Sequence, residues 1–235
     1  MKTYQIHMIR HALTDGNLRG QYIGRTDLPL CPEGVGQLAE LRDSYTYPTG
    51  DFYYTSPLLR CTQTLHALYP AAEPTVVPGL AECDFGSWEG KTAAQLKNDS
   101  VFASWIANGG TGAPPGGESS ADFARRCCAA FADIVEQMMR SGVQSAVIVA
   151  HGGSISSILA AFGLPRAHLF DWMMGNCQGY SVRITPSLWM RGQVCEVYET
   201  LPIGLTPRMD GDQRILIDIA RDVAHKTMPR NGTGE

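Results

Sequence analysis

Two histidines stand where apolar runs break into turns. Arg10 and His11 follow Gln5-Ile6-His7-Met8-Ile9 and lead into Ala12-Leu13-Thr14-Asp15-Gly16-Asn17, and His151 follows Ser145-Ala146-Val147-Ile148-Val149-Ala150 and leads into Gly152-Gly153-Ser154. An imidazole nitrogen can attack phosphorus, and guanidinium N–H groups in forked geometry can neutralise and orient phosphoryl oxygens. Arg60, just beyond the run Asp51-Phe52-Tyr53-Tyr54-Thr55-Ser56, is a third cation of the same kind. Phosphoryl transfer asks mainly for positioning and charge stabilisation, so Arg10, His11, Arg60 and His151 around one phosphoryl group would suffice without a metal. An alkoxide leaving group also needs a proton. Glu82, opening the glycine-rich stretch Glu82 to Gly90, is the best-placed carboxyl, with Asp84 and Glu89 as competitors.

These residues need a scaffold that brings strand ends together. Residues 3–9 read as a buried strand, and Pro32-Glu33-Gly34 opens a helix to about Tyr45 through Val35, Leu38, Ala39 and Leu41. The stretch 51–56 reads as a second strand, and Ser56-Pro57 as an N-cap with proline in the first turn of the helix carrying Arg60. Thr75-Val76-Val77 is extended, and 91–108 hold short helices. Residues 108–117, rich in Gly and Pro, form an exposed loop that is a candidate flap. A long helix runs from about Ser119 to Arg140 with its inner stripe on Phe123, Cys127, Ala130, Phe131, Ile134 and Met138.

The continuous apolar run 145–150 is that of a central parallel strand. It repeats the arrangement at Arg10-His11: a strand, a histidine at its tip, then a helix whose free N–H groups face the site. Residues 179–184 and 194–199 alternate as an antiparallel hairpin at a sheet edge, and 210–226 read as a terminal helix. The reading is a three-layer α/β/α sandwich with a mostly parallel central sheet, one domain over 1–235, with 227–235 disordered or extended.

Composition narrows the function. The 235 residues, 44% hydrophobic, can bury a full core, and a net charge of −4 without a Lys/Arg run disfavours a nucleic-acid surface. Neither a signal peptide nor a membrane anchor is apparent at the N-terminus, so a cytoplasmic location with no membrane partner is expected. Seven cysteines, an odd count with no C-x-x-C pair, read as reduced and mostly buried thiols. His7 points away from the strand tip, and His66, His168 and His225 lack motif context, so these read as structural. No acidic or histidine partner at ligand spacing supports a metal site on His11 and His151. Trp88 and Trp105 read as loop packing, though either could rim a pocket.

The chain resembles the histidine phosphatase superfamily, the group that includes cofactor-dependent phosphoglycerate mutases and broad small-molecule phosphatases, over about residues 4–200. The resemblance is carried by Arg10-His11-Ala12 with Thr14 and Asn17, Tyr22-Ile23-Gly24-Arg25-Thr26-Asp27-Leu28-Pro29-Leu30 with Gly34 and Gln37, and Tyr54 to Thr64. It continues through Leu80 to Gly90, Gly116-Gly117-Glu118-Ser119 and Val149-Ala150-His151-Gly152-Gly153. It implies that His11 becomes phosphorylated, that Arg10, Arg60 and His151 hold the phosphoryl group, that Asn17 adds a polar contact, and that Glu82 donates the proton before water attacks phospho-His11. Ile23, Gly24 and Gly152 then belong to the substrate site, the substrate is a small phosphorylated metabolite, and no cofactor or metal is required. Homodimer formation is left open.

Ala12 departs from the usual Gly and Leu13 from the usual acidic or polar residue. Activity survives if the turn keeps φ of residue 12 negative. The mutases carry an Arg-rich substrate segment before the second histidine, whereas Val101 to Ser119 contains no Arg or Lys, so the likeness is to the phosphatase branch, with its alpha-ribazole phosphatases. A mutase and a non-catalytic binder of phosphorylated ligands are the alternatives.

Overall fold

A computed structural model describes residues 2–205 of the chain. The elements, in order, are β1 (Tyr4–Arg10), α1 (Asp15–Leu18), α2 (Pro32–Ser44), β2 (Phe52–Thr55), α3 (Leu59–Leu68), β3 (Thr75–Val76), α4 (Ala93–Leu96) and α5 (Ser100–Ala107). Then come α6 (Ser120–Ser141), β4 (Ser145–Ala150), α7 (Gly152–Phe162), β5 (Gly163–Leu164), β6 (Gly179–Ile184), α8 (Pro186–Gly192) and β7 (Cys195–Leu201). The strands form one sheet in the order β3-β2-β4-β1-β6-β7-β5. β1, β2, β3 and β4 run parallel, β6 lies antiparallel to β1 and β7 to β6, and β5 lies parallel to β7.

Alternation along the strands sorts side chains onto two faces. Tyr4, Ile6, Met8, Ala146, Ile148 and Ala150 face the buried stripe of α6 and the inner side of α7. Ile9, Val147 and Val149 face Leu38 of α2 and Cys61, Leu65 and Leu68 of α3. Both faces of the central strands are therefore covered, which is why 145–150 carries no polar alternation. A third cluster, Trp88, Leu96 and Phe102 with Tyr22, Phe85 and Trp105 against it, packs the α4–α5 excursion on itself. Trp88 is fully buried and is packing rather than rim.

Three expectations need correction. α3 begins at Leu59, with Leu58 rather than Ser56 at the N-cap position. The Ser56 hydroxyl is held by His151, and the Leu59 N–H is received instead by Asp27 Oδ1 at 2.7 Å, a cap supplied from a distant loop. β6 and β7 are antiparallel neighbours, but α8 joins them and β5 lies outside β7, so they are neither a tight hairpin nor the edge. Thr14 caps the short helix α1, where only a turn was expected. The terminal helix expected at 210–226, the tail 227–235 and His225 lie outside the described residues.

The long helix with its apolar stripe stands where its periodicity places it. Ser119 caps α6 through the Asp122 N–H, and Gly142 closes it in the left-handed conformation. All seven cysteines are free, five of them buried. Among the described residues no helix is long and apolar enough to cross a membrane.

Candidate active site

β1 and β4 are parallel neighbours in a register that pairs Arg10 with Ala150, so His11 and His151 leave the sheet at the same height. The chain then departs to opposite faces, into α2 after β1 and into α7 after β4, and this divergence opens a crevice at the strand ends. The two rings meet there edge to face, 5.2 Å between centroids. Both are buried, His11 at 4% exposure and His151 at 0%.

The His11 tautomer follows from its one ring hydrogen bond. Nδ1 lies 2.7 Å from the Ala12 carbonyl oxygen, which can only accept, so Nδ1 carries the hydrogen and Nε2 keeps its lone pair. Burial, then the Arg60 and Arg10 charges, hold His11 well below its usual value, so the ring is neutral at physiological pH. His151 is likewise held low by burial and by its cationic surroundings, and the Ser56 hydroxyl pins its Nε2 at 2.7 Å. Ala12 is fully buried, and its φ is not among the positive values, so the turn accepts the methyl group as expected. The Ala12 N–H donates to Thr64 Oγ1, whose hydroxyl donates to the Arg60 carbonyl, tying the turn to α3.

Arg60 is buried and Arg10 half-buried, and neither forms an ion pair within 4 Å among the described residues. Arg10 donates to the Met174 carbonyl at 2.6 Å, and its buried Nε has no partner. Arg60, 1% exposed, donates to the carbonyls of Thr26 and Gly24 at 2.9 and 2.8 Å. Guanidiniums drawn out of water without a close ion pair are costly, and an anion in the site would offset that cost. Gly152 lies beneath Arg10: a Cβ there would sit 3.4 Å from Arg10 Nε.

Glu82 enters from the loop after β3. Its Oε1 accepts the Cys83 N–H at 2.9 Å and its Oε2 the Gly153 N–H at 3.1 Å, the latter at the free N-terminus of α7. Burial raises its pKa, and the N–H of Cys83, the Arg60 charge, the N–H of Gly153 and the Arg10 charge pull it back only in part. A carboxyl with a raised pKa between two cations and a crevice suits proton transfer. Glu89 is the opposite case. Burial alone would raise it, but the Thr26 hydroxyl and the N–H groups of Arg25, Phe85 and Gly24 outweigh that and hold it below the usual range. It is a fixed anion and no proton donor. Asp84 accepts the Gly86 N–H within its own loop.

The remaining expected residues are placed as follows. Asn17 accepts from both the N–H and the hydroxyl of Thr14, so its Oδ1 serves the α1 cap. Ile23 packs over Gly16, where a Cβ would strike its side chain. Gly24 sits so close to the Cys83 carbonyl that any Cβ would overlap it. His7 is held by Ser181 on the neighbouring strand, away from the crevice. The loop 108–117 is fastened at its far end, where Ser87 donates to the Pro115 carbonyl and Glu118 to the Asp84 carbonyl.

Several supports were invisible beforehand. In the loop before β6, Met174 holds Arg10, and Asn176 donates through Nδ2 to the His11 carbonyl at 2.9 Å. Cys177, in the left-handed region at φ 63°, turns its N–H onto the carbonyls of Arg10 and His11. Arg126 reaches the Glu82 loop from α6. Its signal was there: a charged residue beside Cys127, three from Phe123 and four from Ala130, on the edge of an otherwise apolar stripe.

The chain is 26% identical over 209 residues to the adenosylcobalamin/alpha-ribazole phosphatase of Salmonella typhimurium, covering 85% of this chain and 95% of that protein. It is 30% identical over 167 residues to a 2,3-bisphosphoglycerate-dependent phosphoglycerate mutase of Rhizobium etli, covering 64% and 76%. Its fold is similar to that of the alpha-ribazole phosphatase of Shigella flexneri, with a TM-score of 0.70 at 22% identity over 86% of this chain and 99% of the other. Residues 6–192, which contain both histidine turns, Arg10, Arg60 and Glu82, match a single family throughout: the chain belongs to the histidine phosphatase superfamily (branch 1).

Proposed function

We propose that this protein is a phosphomonoesterase that hydrolyses small phosphorylated metabolites through a phosphohistidine on His11. The observation that carries this reading is a neutral imidazole, its Nε2 lone pair left available because Nδ1 donates to the Ala12 carbonyl, under the charges of buried Arg60 and half-buried Arg10, neither of which forms an ion pair within 4 Å among the described residues. In the first step Nε2 forms a bond to phosphorus as the ester P–O bond breaks, and Glu82 gives its proton to the departing oxygen. The Nδ1–H, bonded to the Ala12 carbonyl, stabilises the positive charge that the ring acquires. In the second step water attacks phosphorus, the P–N bond breaks, and the Glu82 carboxylate takes the water proton, restoring both groups and releasing inorganic phosphate. Arg10, Arg60 and His151 meet the phosphoryl oxygens, so charge neutralisation falls to side chains and a metal is not called for.

Hydrolysis is favoured over transfer back to a phosphoglycerate because Val101 to Ser119 offers no Arg or Lys to grip a second anionic group. Rapid acid-labile trapping tests the reading: labelled phosphoprotein forms with the wild type, is absent in His11→Ala, and persists longer in Glu82→Gln. Ligand binding without any trapped species would make the protein a binder instead. Incubation with 3-phosphoglycerate and its bisphosphate cofactor would expose a mutase. Turnover that falls on treatment with a chelator would overturn the metal-free chemistry. A panel of sugar phosphates, nucleotides, phosphoserine, phosphoglycerates and alpha-ribazole phosphate identifies the substrate.

A further inference from the structure

The segment that carries Glu82 has no strand to hold it. β3 ends at Val76, and Pro78–Leu80 form a single 3₁₀ turn before the chain crosses the crevice. Its carbonyls are taken up by one side chain: the Arg126 guanidinium donates through Nη1 to the Gly79 carbonyl at 2.8 Å and the Ala81 carbonyl at 3.0 Å, and through Nη2 to the Glu82 carbonyl at 3.4 Å. The same guanidinium is gripped by Glu118, which accepts from Nε at 3.0 Å and from Nη2 at 2.7 Å. Glu118 in turn donates its own N–H to the Asp84 carbonyl and lies 4.0 Å from Arg25, in the loop whose carbonyls hold Arg60. Arg126 therefore braces the acid-bearing segment against α6, and Glu118 fixes the brace.

We propose that Arg126, locked by Glu118, is a positioning residue that keeps the Glu82 carboxyl over the leaving-group oxygen. The inference rests on the general-acid role given to Glu82 above. It follows from geometry: a guanidinium with five donors in a rigid fork can satisfy three carbonyls and a carboxylate at once, which a lysine ammonium cannot. If Glu82 shifts, protonation of the leaving group suffers, a step on which only esters of poorly acidic alcohols depend, whereas its base role in the second step is common to all esters.

The test compares an alkyl phosphate with 2,4-dinitrophenyl phosphate, whose leaving group needs no proton, in Arg126→Lys, Glu118→Gln and Glu82→Gln. Arg126→Lys is expected to lose kcat/KM, which reports the steps up to P–O cleavage, on the alkyl ester at least about tenfold more than on the aryl ester, and Glu118→Gln to show the same bias more weakly. Glu82→Gln calibrates the assay. If it shows no leaving-group bias, the acid assignment itself fails. If Glu82→Gln shows the bias while Arg126→Lys and Glu118→Gln lose both esters equally or neither, the positioning role alone is overturned. Should Arg126→Lys not fold, Glu118→Gln decides by the same ratio, with inorganic phosphate binding confirming that its anion site is intact.

Discussion

Glu89 and Arg60 grip the same piece of backbone from opposite sides. The carboxylate accepts the N–H groups of Gly24, Arg25 and Thr26 and the Thr26 hydroxyl, while the guanidinium donates to the carbonyls of Gly24 and Thr26. A fixed anion thus aligns three peptide units, and those units orient a cation of the site. The close approach of Gly24 to the Cys83 carbonyl belongs to the same arrangement, because it lets the loop lie flat on the Glu82–Glu89 segment.

Glu89→Gln places an amide where only acceptors fit and is expected to destabilise the protein by about 1–3 kcal/mol. The consequence for function is indirect: Arg60 loses its register, and affinity for inorganic phosphate falls about tenfold. Titration calorimetry with phosphate and a denaturant midpoint measure the two effects. Unchanged phosphate affinity in a destabilised variant would separate Glu89 from Arg60.

Ala12→Gly is expected to keep wild-type turnover. Residue 12 has no positive φ, and what it contributes is its N–H to Thr64 and its carbonyl to His11, both backbone groups. The variant should lose about 0.5–1 kcal/mol of stability through the added freedom of the unfolded chain. Steady-state kinetics and thermal unfolding check this, and a large gain in kcat would show that the methyl group strains the site.

Stability of the ligand-free protein should fall as pH drops below the ordinary histidine value of 6.5. His11 and His151 have folded pKa values well below it, so under acidic conditions the unfolded chain binds two protons that the folded one refuses. Each ring contributes a slope approaching about 1.4 kcal/mol per pH unit below pH 6.5, and the contribution is absent above it. Glu82 acts with the opposite sign: its raised folded pKa means stability is lost as pH climbs through the window above 4.5. Urea unfolding from pH 5 to 8 reads the sum, and His151→Gln should flatten the acidic slope.

The rate profile follows from the same two directions. His11 stays nucleophilic into acid, while Glu82 stops donating above its raised pKa, so kcat/KM for alkyl phosphates should decline toward alkaline pH once substrate ionisation is allowed for. Glu82→Gln should lower the rate and remove that alkaline limb. A limb that survives the substitution would assign the titration to another group.

Much of the secondary structure is legible in local sequence. Long periodic runs such as 120–141 and the continuous apolar stretch 145–150 declare helix and buried strand through local periodicity, and His11 and His151 stand directly after the apolar runs of β1 and β4. Tertiary structure alone decided how these groups are held. The cap of α3 comes from Asp27 rather than Ser56, Asn17 turns to Thr14, Glu89 proves an ionised clasp and Glu82 a carboxyl with a raised pKa, and the loop at 174–177 supports β1 from more than 160 residues away in sequence. The reason is physical: periodicity is a property of neighbours along the chain, whereas a hydrogen-bond partner or a shifted pKa depends on which distant backbone the sheet brings alongside.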